Sequence, residues 1–268
     1  MTPVASLWIG GRLSFLDRLC LTSFAARGHE VTLFHYQPIE NAPDCVQVAD
    51  ARAIYDNDEI LIHKNGSPAM HADIFRLHLM RRTDMIWVDT DEFCLSPFEP
   101  AQGYICPKET EKAVTNCVLR LPRDSQALDF MLEFVADPYP IPPWVLPKVK
   151  RELEAAKAAG TPVHVSQQLF TTFGPRLLKF ALKNSGEDRH LSPVDTYLPL
   201  PSVRHRYAVK AKFLETLTDQ IFTSNTKGVH LWGTNLRKNG WLEKIEPGSF
   251  LAQKARELDV TLPESSMI

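Results

Sequence analysis

VASLWIGGRLSFLDRLCLTSFAARGHEVTLFHY, residues 4–36, decides the fold. Residues 4–9 are a short apolar run ended by Gly10-Gly11, after which Leu13, Leu16, Leu19, Cys20 and Phe24 recur at helical spacing. Gly28 suits the position just past a helix end, and residues 30–36 are rich in β-branched and aromatic side chains. Strand, glycine turn, helix and strand in that order predict a βαβ unit. The chain is therefore expected to be α/β, with a mainly parallel central sheet flanked by helices.

The same reading extends outward. Residues 45–48 suit a third short strand, 68–82 a helix, and Met85-Ile86-Trp87-Val88 a buried central strand. Strands are expected at 103–106 and 114–121, and a helix at 124–136 with Asp124 as its N-cap. Six prolines between Pro138 and Pro162 surround a charged helix at 148–159, which reads as a surface excursion or lid. Helices follow at 176–182, after Gly174-Pro175, and at 209–222; the stretch Gly228-Val229-His230-Leu231-Trp232 comes next, and 264–268 should fray. No internal repeat or low-complexity tract interrupts the 268 residues, whose length and 44% hydrophobic content fit one large α/β domain.

Charge and cysteine content narrow the function classes. Thirty basic and 32 acidic residues, without a long run of either sign, give no reason to expect a nucleic-acid partner. Five cysteines (Cys20, Cys45, Cys94, Cys106, Cys117) with no CxxC spacing read as buried thiols of a reducing compartment. The N-terminus lacks the features of a signal peptide, and no stretch approaches the roughly 20 apolar residues of a membrane span. A cytoplasmic location is expected, compatible with peripheral contact at the inner membrane face.

The apolar run 85–88 ends in Asp89-Thr90-Asp91. Two carboxylates one residue apart at the carboxyl end of a buried strand repel each other and lose hydration. A divalent cation resolves the conflict, and hard oxygen ligands suit Mg²⁺ or Mn²⁺, ions commonly shared with substrate phosphates. Read alone, the triplet also fits a solvated turn. In the preceding helix, apolar residues cover most of the circumference, with Asp73 and Arg76 three apart on nearly one face. They either pair with each other or project into the pocket of the aspartates.

These residues resemble the DXD sugar-binding glycosyltransferases, a family that includes fungal α-1,6-mannosyltransferases, bacterial capsule sugar transferases and, remotely, the glucosylating clostridial toxins. Leu7-Trp8-Ile9-Gly10-Gly11 resembles the family's first strand and turn, Ala72-Asp73-Ile74-Phe75-Arg76 its Asp-x-x-Arg helix, and Ile86-Trp87-Val88-Asp89-Thr90-Asp91 its metal strand. His230-Leu231-Trp232 resembles its C-terminal His-x-Trp, and Thr172-Phe173-Gly174-Pro175 its Thr-Gly-Pro, with Phe173 inserted. Arg81-Arg82-Thr83-Asp84 also departs from the usual Tyr-Gly-Gly.

The resemblance implies a GT-A fold, retention of anomeric configuration, a nucleoside-diphosphate sugar (UDP-sugar favoured) and Mn²⁺ or Mg²⁺. On this chain Trp8 would stack on the base, and Asp73, Arg76 and Asp89 would bind the donor. Asp89, Asp91 and His230 would hold the metal, and Trp232 would cover the site. Asp91 and Gln168 are the candidate catalytic residues, with Gln168 and its neighbour Gln167 lining the front face. Residues 1–121 would form the nucleotide-sugar half and 122–268 the acceptor half of one domain, the acceptor being a glycan or lipid-linked saccharide and surface-polysaccharide synthesis the setting. Two rivals remain: a haloacid-dehalogenase-like phosphatase, whose DxD motif would want Thr or Val where this chain has Phe93, and a non-catalytic sugar-binding protein on the same fold.

Overall fold

A computed structural model describes residues 1–57 and 59–264. The expected fraying of 264–268 thus falls, beyond Glu264, outside the described residues. The opening is the βαβ unit expected: β1 (Val4–Trp8), α1 (Phe15–Ala26) and β2 (Val31–His35), with β1 and β2 parallel. Ser14 starts α1 through a capping box in which its hydroxyl and backbone N–H engage the Asp17 side chain. Next come β3 (Gln47–Asp50), α2 (Ala69–Arg82) and β4 (Ile86–Val88), followed by β5 (Glu92–Cys94), a strand the sequence reading missed.

The chain continues with β6 (Cys106–Thr110), β7 (Ala113–Val114), β8 (Val118–Leu119), α3 (Gln126–Val135), α4 (Pro147–Ala158) and α5 (Pro175–Ser185). It closes with β9 (Leu191–Ser192), α6 (Val194–Tyr197), β10 (Gly228–His230), α7 (Gly233–Lys238) and α8 (Phe250–Glu257). The central sheet runs β3-β2-β1-β4-β8, its first four strands parallel and β8 antiparallel to β4. A separate antiparallel ribbon joins β10 to β5, and a third small sheet is ordered β7-β6-β9.

Alternation along the strands divides the core between the two faces of the sheet. Ala5, Leu7, Phe34 and Trp87 pack with Phe75 and Leu79 of α2 and with α3 and α5. Val4, Val31, Leu33, Ile86 and Val88 pack with Leu21 and Phe24 of α1. A third cluster joins the other flank of α1, through Leu16, Leu19 and Cys20, to Phe93, Val229 and α8. Burial nearly all round α2 matches its apolar circumference.

Three expectations need correction. The N-cap of α3 is Ser125, not Asp124: the Ser125 hydroxyl accepts the Leu128 N–H at 3.1 Å, while its own proton and the Ala127 N–H go to the buried Glu187 carboxylate. The helix expected at 209–222 is instead one 3₁₀ turn, Ala211–Phe213, and a π-helical turn, Thr216–Ile221, preceded by a 3₁₀ turn at Ser202–Ala208. Glu246 accepts both the Ala211 N–H and the Lys210 ammonium, so the backbone restarts there rather than running through. The strand expected at 114–121 survives only as β7 and β8, because residues 115–117 leave the ladder and turn toward the end of β4.

All five cysteines are free thiols, and only Cys45 among them is exposed. Helix α4 lies on the surface as expected, burying only Leu153. No helix among the described residues is long and apolar enough to cross a membrane.

Gly228 is fixed by close approach. A Cβ there would collide with a Glu92 carboxylate oxygen and lie 2.6 Å from Cζ of Phe98, both fully buried. Gly228→Ala is expected to destabilise the fold by about 1–3 kcal/mol, the usual range for overpacking, as a lower midpoint in urea unfolding. An unchanged midpoint would show that β10 and β5 are not packed this way.

Candidate functional site

Strands β1 and β4 are neighbours, yet the chain leaves β1 toward β2 and returns through α2 to reach β4 on the other side. Connections that diverge in this way open a crevice outside the carboxyl ends of the strands. A cleft of about 450 Å³ lies there, lined by Trp8, Ala72, Arg76, Trp87, Asp89, Thr90, Asp91, His230, Thr234 and Arg237 among others. Residues distant in sequence, from the first strand to the last helices, thus meet at one point.

Each aspartate of the triplet uses one oxygen to hold itself in place. Asp89 Oδ1 accepts the Trp87 indole N–H at 2.8 Å and lies 3.5 Å from the Arg76 guanidinium. Asp91 Oδ2 accepts the Gly233 N–H at 2.7 Å. Neither Asp89 Oδ2 nor Asp91 Oδ1 receives a hydrogen bond from the described residues, although Asp91 Oδ1 has His230 Nδ1 at 3.6 Å. Burial raises the pKa of Asp89 and the neighbouring Asp91 carboxylate adds to it, while Arg76 opposes both. Two such free oxygens facing a cleft are the donor set a hard divalent cation takes. The residues present therefore fit Mg²⁺ or Mn²⁺. Thr90 between them faces α1, its hydroxyl donating to Asp17 Oδ1 at 2.7 Å.

Asp73 and Arg76 pair with each other, and only Arg76 also projects into the cleft; Asp73, expected to bind the donor, does not line it. Their side chains pair at 3.4 Å, and the same guanidinium nitrogen reaches Asp89. Arg76 also donates to the Asn116 carbonyl and lies over the Trp87 ring, 4.5 Å from its centroid. Asn116 in turn donates its side-chain amide to Asp73 Oδ1 at 2.8 Å. The carboxylate of Asp73 sits against the start of α5, where a Cβ on Gly174 would be only 2.9 Å from Oδ2. Glycine in Thr172-Phe173-Gly174-Pro175 is thereby explained, and the inserted Phe173 is buried edge-on to Phe134. Arg76 lines the cleft; Asp73 lies one layer behind it, among its partners.

His230 lines the cleft with Nδ1 turned inward, 3.6 Å from Asp91 and 3.5 Å from Glu92. Burial by itself would depress its pKa, but the Asp91 and Glu92 carboxylates prevail and raise it to about 9. Trp232 stands edge-on to His230 at 4.7 Å and donates its indole N–H to the Leu200 carbonyl. Its left-handed backbone (φ 56°), uncommon for an aromatic residue, turns the chain from β10 into α7 and so delivers the Gly233 N–H to Asp91. Trp8, at the end of β1, is half-buried at the cleft wall, its indole nitrogen without a hydrogen-bond partner.

Gln168 is not brought to this cleft. Its amide donates to the Pro140 and Val163 carbonyls at 2.8 and 3.0 Å, and both it and Gln167 border a different cavity beside α4. Five contributors escaped the sequence reading: Asp17, Trp87, Glu92, Asn116 and Arg237. Only Glu92 carried a visible signal, being a third carboxylate directly after the triplet. Asp17, Asn116 and Arg237 are joined to the site by contacts over long sequence separations, whereas Trp87 bonds to Asp89 two residues on from a position that reads as plain core.

No protein-family model matches the chain, and no curated protein does. Among solved structures it is similar to the "PaToxG Glycosyltransferase", with 13% identity over 70% of each chain and a TM-score of 0.47. A likeness of that size assigns neither family nor chemistry.

Burial raises the Asp73 pKa from its ordinary 3.8 to about 6, against the pull of Arg76 and Asn116. Between those values the folded state holds the proton more often than the unfolded chain, so through this group stability rises as pH falls from about 6 toward 4. Asp73→Asn mimics the protonated form. Its stability relative to the wild type is therefore expected to be most favourable near pH 7 and to decline by up to roughly 3 kcal/mol on acidification to pH 4. Chemical denaturation of both proteins across that range measures it; a pH-independent difference would mean that Asp73 is not a buried, titrating carboxylate.

Proposed function

We propose that the chain is a metal-dependent glycosyltransferase of the GT-A type that takes its sugar from a nucleoside diphosphate, UDP favoured, with retention of configuration. One observation carries this reading. Asp89 and Asp91 each present an unbonded oxygen at the crevice between β1 and β4, in a cleft whose other polar lining includes the cations Arg76 and Arg237 and the imidazole of His230. Anionic metal ligands facing cationic side chains across a cleft of small-molecule size suit an anionic ligand that itself binds metal, and a diphosphate is such a ligand.

In the net reaction, the bond between the anomeric carbon and the β-phosphate oxygen breaks, an acceptor hydroxyl oxygen bonds to that carbon and releases its proton to solvent, and negative charge develops on the leaving diphosphate. A bound Mn²⁺ or Mg²⁺ would be held by Asp89 and Asp91, with His230 completing the site, and would supply Lewis-acid stabilisation of that charge. Arg237 is 42% exposed and only 3.9 Å from the buried Asp17 carboxylate, a loose pairing that leaves donors for phosphate. Arg76, held over Trp87 and tied to Asp73 and Asp89, orients the donor sugar. Trp8 offers its ring to the base. Trp232 fixes the turn that closes the site. Gln168, committed to two backbone carbonyls, carries no step of this reading. The acceptor would be a glycan or lipid-linked saccharide, met by the half of the single domain that follows residue 121.

Thermal unfolding with UDP and GDP, each with and without Mn²⁺, is expected to show stabilisation that requires metal and nucleotide together. A phosphatase using the same triplet would show no such requirement for the nucleoside. Asp91→Asn should abolish the joint effect and lower slow donor-sugar hydrolysis by about 10²–10³-fold. Unchanged metal-dependent binding and turnover in that variant would sink the assignment.

Arg237→Ala should weaken nucleotide diphosphate binding about tenfold or more, the usual scale for losing a charge-assisted hydrogen bond, without changing the apo unfolding temperature by more than a few degrees. Calorimetric titration reads this directly. Equal affinity in wild type and variant would remove Arg237 from the diphosphate site.

A further inference from the structure

Behind the triplet lies a second group of potential ligands, Glu92, Cys117 and His230, of which the donor reading uses only His230. Glu92 opens β5 with its side chain fully buried, and neither carboxylate oxygen has a hydrogen-bond partner. His230, on the paired strand β10, faces it across the ribbon, its Nδ1 3.5 Å from Glu92 Oε2 and also without a hydrogen bond. Cys117 comes from the loop that leaves β7 for β8, is 3% exposed and is a free thiol. One ligand atom from each of the three lies within 4.8 Å of the others.

A buried carboxylate with no donor is costly, because it loses hydration without replacement. The usual remedies are hydrogen bonds from backbone or hydroxyl groups, and none reaches Glu92. Metal–ligand bonds of about 2.0–2.3 Å place tetrahedral ligand atoms about 3.3–3.7 Å apart. The His–Glu separation of 3.5 Å already matches, and the sulfur lies within 4.8 Å of both partner atoms. Asp91 Oδ1, 3.6 Å from the same imidazole nitrogen, belongs to the cleft side of the ring.

We propose that Glu92, Cys117 and His230 form an inner site for a borderline transition-metal dication of the Zn²⁺ class, adjoining the hard-cation site in the cleft and sharing His230 with it. One sulfur, one nitrogen and carboxylate oxygen are the ligand types that such an ion takes and that Mg²⁺ does not. Cys117 without an ion is a poor thiolate, since burial and the nearby carboxylates push its pKa well above the ordinary thiol value; a dication reverses that local field. On binding, the sulfur–metal bond forms as the thiol proton leaves to solvent, and the imidazole likewise surrenders its Nδ1 proton. The remaining ring N–H, on Nε2, makes no hydrogen bond to the described residues and stays available as a donor to an anion. The inner ion would thus lock the His230 tautomer and tie β5, β10 and the 115–117 loop together behind the cleft.

The probe is Co²⁺ added to the metal-stripped full chain carrying Cys45→Ser, which removes the exposed thiol. One equivalent is expected to bind, with near-ultraviolet thiolate-to-cobalt absorption that stoichiometric Zn²⁺ bleaches and millimolar Mg²⁺ does not. Cys117→Ser should abolish the band, Glu92→Gln should weaken cobalt affinity tenfold or more, and Asp89→Asn, which damages only the cleft site, should leave the band intact. X-ray absorption of the cobalt form needs no variant at position 117 and is expected to show one sulfur at about 2.3 Å with nitrogen and oxygen neighbours. Cobalt bound without a sulfur neighbour, or a band that persists in Cys117→Ser, would overturn the proposal. Neither result bears on metal-dependent nucleotide binding, so the inner site and the donor reading can fail separately.

Discussion

Three carboxylates within four residues, Asp89, Asp91 and Glu92, stand at the end of a buried strand, and much of the structure is arranged around containing that charge. Burial raises the pKa of Asp89, and it lifts Glu92 to about 7 against the opposing pull of His230. Like charges so placed would disfavour the fold unless compensated. Compensation comes from every side: the Trp87 indole, the Arg76 guanidinium, the Gly233 N–H and the His230 imidazole. Each compensator is held by something else, so the charge dictates structure well beyond its own strand.

Topology explains why the charge can be functional. Four parallel strands in the order β3-β2-β1-β4 put the reversal of chain direction between β1 and β4, and the triplet is the first thing the chain does after β4. The ribbon β5–β10 then brings His230 back beside it from nearly 140 residues away. Tight steric fits enforce that return: Gly228 leaves room for Glu92 and Phe98, and Gly174 leaves room for Asp73. Side chains as small as alanine would force the ribbon or the start of α5 away from the carboxylates they face.

Much of this was legible in the sequence, for local reasons. The βαβ opening, the buried α2 and the apolar strand before Asp89 announce themselves through periodicity, which local sequence encodes directly. The donor-site candidates Trp8, Arg76, Asp89, Asp91 and His230 do line one cleft. The errors have a common cause in partners supplied from afar. Ser125 rather than Asp124 caps α3 because Glu187 fixes its hydroxyl, and 209–222 breaks into short turns because Glu246 captures the backbone at Ala211. Gln168 looked well placed by its proximity to Gly174-Pro175, yet Pro140 and Val163 hold its amide beside another cavity. Trp87 read as plain core, although its indole N–H is the group that orients Asp89.

The least visible element is the link between α1 and the triplet. Asp17 caps its own helix by accepting from the Ser14 hydroxyl at 2.6 Å and backbone at 3.0 Å, which any sequence reading could explain as a local device. Its other oxygen accepts the Thr90 hydroxyl, 73 residues away, and Arg237 approaches from α7. A fully buried carboxylate bound only locally would leave acceptor capacity unused, so the second bond is what makes the burial tolerable. The middle residue of the triplet therefore anchors rather than binds. With Thr90 tied to the start of α1, the turn it sits in is fixed in place, and Asp89 and Asp91 on either side of it line the cleft together.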